Sequence, residues 1–137
     1  MSAEAVLQAG LLAHLAADAG VQAVFGNPAR LYDRAARGAA FPFLSLGRGE
    51  SEPADGDGVT LVDHRLSLHV WARKDDFEAL KSAIGAVRTG LHNAALTLGG
   101  GWRCVSCRVV YADTFQGADG HTVHGLVRVR AGLEALS

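Results

Sequence analysis

Between residues 60 and 73 polar and apolar side chains alternate: His64, Leu66, Leu68, Val70 and Ala72 share one parity, Arg65, Ser67, His69, Trp71 and Arg73 the other. A period of two is that of a strand with one covered face. Directly afterwards Phe77, Leu80, Ile84, Val87 and Leu91 recur at spacings of three and four, which predicts an amphipathic helix opening at Asp75-Asp76. The apolar stripe of that helix fits the covered parity of the strand, so the two form one packed unit.

The same reading extends along the chain. Ser2 is placed to cap a first helix whose Val6, Leu7, Leu11, His14 and Leu15 fall near one face, with Glu4 suiting the dipole and Gly20 as the stop. A short turn over residues 21–25 precedes the break at Gly26-Asn27-Pro28, and residues 31–34 start a short strand. Residues 41–48 form a second strand, with Pro42 marking an edge or an end. The segment 49–58, GESEPADGDG, has no large apolar group to anchor it and is expected to be a mobile acidic loop. Residues 102–113 and 122–130 read as long strands joined through Gly117-Ala118-Asp119-Gly120, a hairpin turn. The order predicts an α+β fold: a mainly antiparallel twisted sheet of four to five strands with two helices packed on one face.

At 137 residues, with 49% hydrophobic and 20% charged, the chain has the size and composition of a single globular domain spanning 1–137. Thirteen basic residues against 14 acidic ones give a formal charge of −1, which disfavours duplex DNA as a primary ligand. No stretch approaches the roughly 20 apolar residues of a membrane span. No basic residue precedes the apolar run at 3–15, and two cysteines make no disulfide framework, so production in the cytoplasm without a membrane partner is the expectation.

Several patterns invite chemistry. Cys104-x-x-Cys107 followed by His121-x-x-His124 has the residue types of a zinc site. A hairpin turning at Ala118 and Asp119 sets His121 opposite Gln116 and His124 opposite Asp113, leaving Cys107 six residues further on, about 20 Å at roughly 3.3 Å per residue. One metal cannot bridge that distance. Odd spacing sends Cys104 and Cys107 to opposite faces, so one of them is a small buried hydrophobe. Asp55-Gly56-Asp57-Gly58 begins like a calcium loop, but Val59 replaces the next ligand and no closing glutamate follows. His64 on the covered face and His69 on the open face cannot share a site, and His14 is expected to be partly buried and satisfied. Gly47-Arg48-Gly49-Glu50-Ser51 is no nucleophile elbow, and Gly99-Gly100-Gly101 runs into Trp102-Arg103 instead of a phosphate loop. The expectation is no catalytic group, no metal and no cofactor.

What remains is surface. Arg65, His69, Trp71 and Arg73 stripe the open face of the strand, and Arg with Trp is the composition of an interface anchor. Leu126, Arg128 and Arg130, with Arg103, extend it. The alternative is a monomeric α+β ligand-binding or enzymatic domain, which needs a pocket of convergent polar groups.

In order along the chain, an amino-terminal Ala-Glu-x-x-Leu-Gln-Ala helix, Leu31-Tyr32-Asp33-Arg34, Phe41-Pro42-Phe43-Leu44 with Gly47, His64-Arg65-Leu66-x-Leu68-His69-Val70-Trp71-x-Arg73, and Asp113-x-Phe115 ahead of Asp119-Gly120-x-Thr122-x-His124-Gly125 together resemble the tail-terminator, or tail-completion, proteins of long-tailed phages. The resemblance is closest to those of phage-derived gene transfer agents. It implies a structural protein, assembled as a homo-hexameric ring at the head-proximal end of the tail tube. Such a ring halts tube polymerisation and meets the head-tail connector or stopper, and DNA passes through its lumen unread. A near-neutral charge suits that passage. On this reading Arg34, Arg37, Arg65, Trp71 and Arg73 are expected at subunit contacts, and Glu50, Glu52, Asp55 and Asp57 at the tube or connector.

Overall fold

The computed structural model describes residues 2–34 and 37–136. Helix α1 (Ala3–Ala16) begins where the Ser2 hydroxyl accepts the Ala5 N–H at 3.1 Å. Gly20 does not stop it. The chain instead turns at Ala17, and Asp18 caps a second helix, α2 (Ala19–Phe25), by accepting the Val21 N–H at 3.0 Å. An Asx cap outcompetes the glycine because it satisfies an orphan amide, whereas Gly inside a helix costs only about 1 kcal/mol.

Strands β1 (Leu31–Tyr32), β2 (Phe43–Pro53) and β3 (Leu61–Arg73) precede helix α3 (Phe77–Leu91), then β4 (Trp102–Gln116) and β5 (Thr122–Ala135) follow. The sheet order is β1-β2-β3-β5-β4, antiparallel throughout except for the short parallel pairing of β1 with β2. The expected α+β class holds, with three helices among the described residues instead of two. All helices gather on one face, where Leu7, Leu11, Leu15, Phe25, Leu80, Val87 and Leu91 meet Leu68, Val70, Val127 and Leu133 in one core.

Strand β3 follows its predicted parity: His64, Leu66, Leu68, Val70 and Ala72 are buried, and Arg65 and Arg73 exposed. Helix α3 starts under the Asp76 carboxylate, which accepts the Ala79 N–H at 3.0 Å. It sits close because Gly125 faces it: a Cβ there would lie 2.6 Å from Ile84 Cδ1.

Three local expectations need correction. The acidic segment 49–58 is a loop only in its second half, because β2 continues to Pro53 and pairs Gly49 through Pro53 with Leu66 through Val62. The long β3 supplies the partner backbone that holds these polar residues in a ladder. The turn that follows is closed by Ala54 and Leu61, by a Gly56–Val59 bridge, and by Asp55 accepting the Leu61 N–H at 2.9 Å. Second, the β4–β5 register is shifted by two from the expected one: His124 faces Phe115, not Asp113, and Gln116 faces Val123. The Asp119 carboxylate accepts the N–H groups of His121 and Thr122 and the Thr122 hydroxyl, tightening the turn beyond what its four residues suggested.

Third, Cys104 and Cys107 lie on the same face. A bulge between Cys104 and Ser106 inserts a residue, so Cys104 pairs with Leu133 and Cys107 with Ala131, both inward positions; a second bulge lies further on, between Val109 and Tyr111. Cys107 is buried and its thiol is pushed up to about 12 by burial and then by the neighbouring Cys104, whose own thiol burial also raises. Both behave as small core groups.

Candidate functional site

With the helices covering one face, chemistry has only the other face of the sheet and its edges. Its centre is an aromatic and imidazole group. His69 on β3 and His124 on β5 are hydrogen-bonded, Nδ1 to Nε2, at 2.7 Å, and Trp71 stacks on His124 with ring centres 3.8 Å apart and planes at 16°. Phe115 on β4 packs on His124 at 4.7 Å. The outward parity of β3 pointed to His69 and Trp71; His124 was missed because the register placed it elsewhere. Its place in the outward set of β5, beside Leu126 and Arg128, was the available signal.

Burial holds the His69 and His124 imidazoles below their usual range, and for His124 the charge of His69 adds to this. With both rings neutral, one donates its N–H to the other across the 2.7 Å contact, the direction following the tautomer. The site is snug: a Cβ on Gly47 would lie 2.3 Å from His69 Nε2. At the same end of the sheet Tyr32, Phe41 and Phe43 form a second aromatic group, and the Arg73 guanidinium lies 5.7 Å over the Phe41 ring.

Of the expected contact residues, Trp71 and Arg73 join this cluster. Arg65 sits further along the same face, 3.7 Å from Glu52, and Arg34 and Arg37 are exposed beyond β1, apart from the stripe. The acidic group divides. Glu50, paired with Arg48 at 2.8 Å, and Glu52 belong to β2; Asp55 shapes the turn and Asp57 is exposed in it. Arg128 lies over Tyr111 at 4.9 Å, and Arg130 makes a two-pronged contact with Asp63 at 2.9 and 3.1 Å.

On the covered side, His14 donates from Nε2 to the Gly90 carbonyl at 2.9 Å, a satisfied interior histidine as expected. His64 is only 3% exposed, and its Nε2 has no partner. Burial lowers its pKa, with Glu4 and Asp63 partly opposing. Among the described residues no three His, Cys, Asp or Glu side chains are grouped to hold a metal ion, and no helix is long and apolar enough to cross a membrane. A groove of about 310 Å³ between α3 and β4 is open and lined by Lys81, Ile84, Arg88, Ala112, Asp113 and Thr114, with no nucleophile and base in contact.

The open sheet face thus offers an aromatic group with interleaved charges and, among the described residues, no grouped metal ligands. The comparisons with known proteins supply the class. The model of the family described as tail completion protein gp17 matches residues 9–134, so the chain belongs to that family, and it is a structural protein, not an enzyme. Among solved structures it is similar to a chain in the virion of a native gene transfer agent particle, with 25% sequence identity, a TM-score of 0.86 and 98% of each chain covered. No curated protein matches.

Proposed function

We propose that this chain is the tail terminator of a phage-like particle: six copies form a ring at the head-proximal end of the tail tube, end its polymerisation and join it to the head connector. DNA passes through the lumen without sequence readout. The observation that carries this reading is the likeness, over 98% of both chains, to a component of a gene transfer agent virion. The open face supports it, since a ring subunit needs two different patches that meet by rotation.

In this ring Arg65, Trp71 and Arg73 belong to subunit contacts, and Arg34 and Arg37 flank them. Asp57 and Glu52 lie at the turn end of the β2–β3 hairpin, suited to an axial contact with the tube or connector. Removing the whole segment 49–58 would cut into β2, so the better test substitutes Glu52→Lys and Asp57→Lys together, outside the core. The variant should fold and fail to produce joined particles by electron microscopy. Normal particles would remove the axial assignment. Cryo-electron microscopy of intact particles tests the ring itself: density for this chain anywhere but the tube–head junction would overturn it.

A further inference from the structure

Both bulges of β4 turn a valine into solvent. Val105, inserted between Cys104 and Ser106, and Val110, inserted between Val109 and Tyr111, are each 48% exposed. A bulge re-aims a side chain, and here it sets a β-branched apolar group on the open face of the sheet. Each valine walls a hollow. The first, about 310 Å³, is lined by Val105, Gly132, Arg108 and Arg130; the second, about 300 Å³, by Val110, Ser67, Arg65 and Arg128. Gly132 keeps the first one open, since a Cβ there would lie 3.1 Å from Val105 Cγ2 and 3.0 Å from Ser106 Oγ. In the ladders Gly132 lies opposite Asp63 and Arg128 opposite Ser67, so the hollows are four residues apart along β3, about 13 Å at roughly 3.3 Å per residue.

Charge is uneven across the same face. Arg65, Arg130 and Arg108 stand in one cross-strand row, where like charges oppose one another at a cost to stability. Glu52 relieves Arg65, and Asp63 relieves Arg130. Among the described residues Arg108 has no carboxylate partner, and Arg128 has only the Tyr111 ring, at 4.9 Å. The β4 half of the face therefore combines two uncompensated cations with Val105, Val110, Tyr111 and Phe115, four of the five large apolar side chains most open to solvent.

This pattern selects its occupant. Two copies meeting through this face would set arginine on arginine. No other described surface supplies the reciprocal pattern, because the fifth exposed apolar side chain, Leu136, stands alone and the acidic turn at 54–58 carries no large apolar group. A nucleic acid would bring phosphates against Glu52, Asp63 and Glu134 in a chain whose formal charge is −1. Backbone pairing at this height is closed as well. The Asn93 N–H bonds the Cys107 carbonyl at 2.8 Å and the Val109 N–H bonds His92 Nδ1 at 3.2 Å, so a partner reaches β4 over its face.

We propose that the two hollows dock an acidic segment of a different protein of the particle, seating two of its large apolar side chains against Val105 and Val110 while its carboxylates meet Arg108 and Arg128. Such a contact has an apolar centre and a charged rim. It rests on the reading of this chain as a component of the tube–head junction and leaves the subunit contacts at Trp71 and Arg73 in place.

The test uses full-length chain carrying a photoreactive side chain at Val110, supplied to particles that lack it, with the crosslinked peptide identified by mass spectrometry. The expected product joins this chain to an acidic segment of another particle protein. Arg108→Glu with Arg128→Glu should lower its yield at least about tenfold, since like charges would then face each other, in a chain whose circular dichroism is unchanged. Crosslinks to DNA, to a second copy or to a segment without carboxylates would overturn the docking, as would undiminished yield from the double variant. Phenylglyoxal modification of the wild-type chain needs no variant: Arg108 and Arg128 should be protected in particles relative to the free chain, and equal reaction in both refutes the contact. A chain that gives the expected crosslink but sits away from the tube–head junction would sink the terminator reading and keep the docking; one placed at the junction and crosslinked only to itself would do the reverse.

Discussion

Gly125 offers a quantitative check on how tightly α3 is seated. A Cβ at this position would approach Ile84 Cδ1 to 2.6 Å, and Ile84 Cγ1 and Leu80 Cδ1 to 3.1 Å each. Ordinary carbon contacts begin near 3.5 Å, so Gly125→Ala requires roughly 1 Å of movement at the Ile84 tip or of the whole helix. Overpacking of this kind costs about 1–3 kcal/mol. Ile84→Val removes the methyl that clashes and alone costs about 0.5–1.5 kcal/mol as a cavity. Combined, the two should be less harmful than their sum by at least about 0.5 kcal/mol, since one creates the space the other fills. Urea and thermal unfolding at one fixed protein concentration measure this, because assembly would otherwise shift apparent stability. Additive losses would mean that α3 accommodates the extra methyl elsewhere and that Ile84 does not set the helix height.

Other expectations follow from the same coordinates. Burial leads in lowering the pKa of His64, His69 and His124, so the unfolded chain binds more protons than the folded one below about 6.5; stability should fall as pH drops from 7.5 to 5.5. The slope is at most about 1.4 kcal/mol per pH unit for each imidazole, less for the partly exposed His69 and His124, and a flat profile in urea titrations would contradict it. Protonation of His124 beneath Trp71 should quench indole emission with a midpoint below the ordinary imidazole range, and His124→Gln should abolish that titration. Asp76→Ala should cost about 1 kcal/mol by uncapping α3, read from the thermal midpoint. Cys107, with its thiol near 12, should resist alkylation at pH 8 until the protein unfolds; rapid labelling of the native chain would refute its burial.

Much of the fold was legible because β3 and α3 obey clean periods, and the hairpin turn announced itself in Gly117 and Gly120. What escaped had tertiary causes. The extension of β2 through Gly49 to Pro53 owes nothing to its own composition; it follows from the 13-residue length of β3, which offers a ladder to whatever lies beside it. The cysteine faces were misplaced because one bulge, between Cys104 and Ser106, resets the parity of β4 ahead of Cys107, and no single residue type demands a bulge at Val105. The surface stripe was half legible: Trp71 and His69 followed from one strand, but the imidazole pair needed the register of a second. Arg34 and Arg37, expected at subunit contacts through the resemblance, are exposed after β1.

The irregularities of β4 also bear on how a lone subunit survives before assembly. A straight edge of 15 residues would accept almost any extended segment, including that of a nascent neighbour, and invite fibrous aggregates. An interrupted edge offers only short regular stretches, so an arbitrary strand gains little by docking. The bulges, together with Asn93 on the Cys107 carbonyl and His92 on the Val109 amide, thus blunt the edge against stray partners. On this view a chain with the Val110 bulge deleted would fold, yet accumulate as insoluble material in the cell.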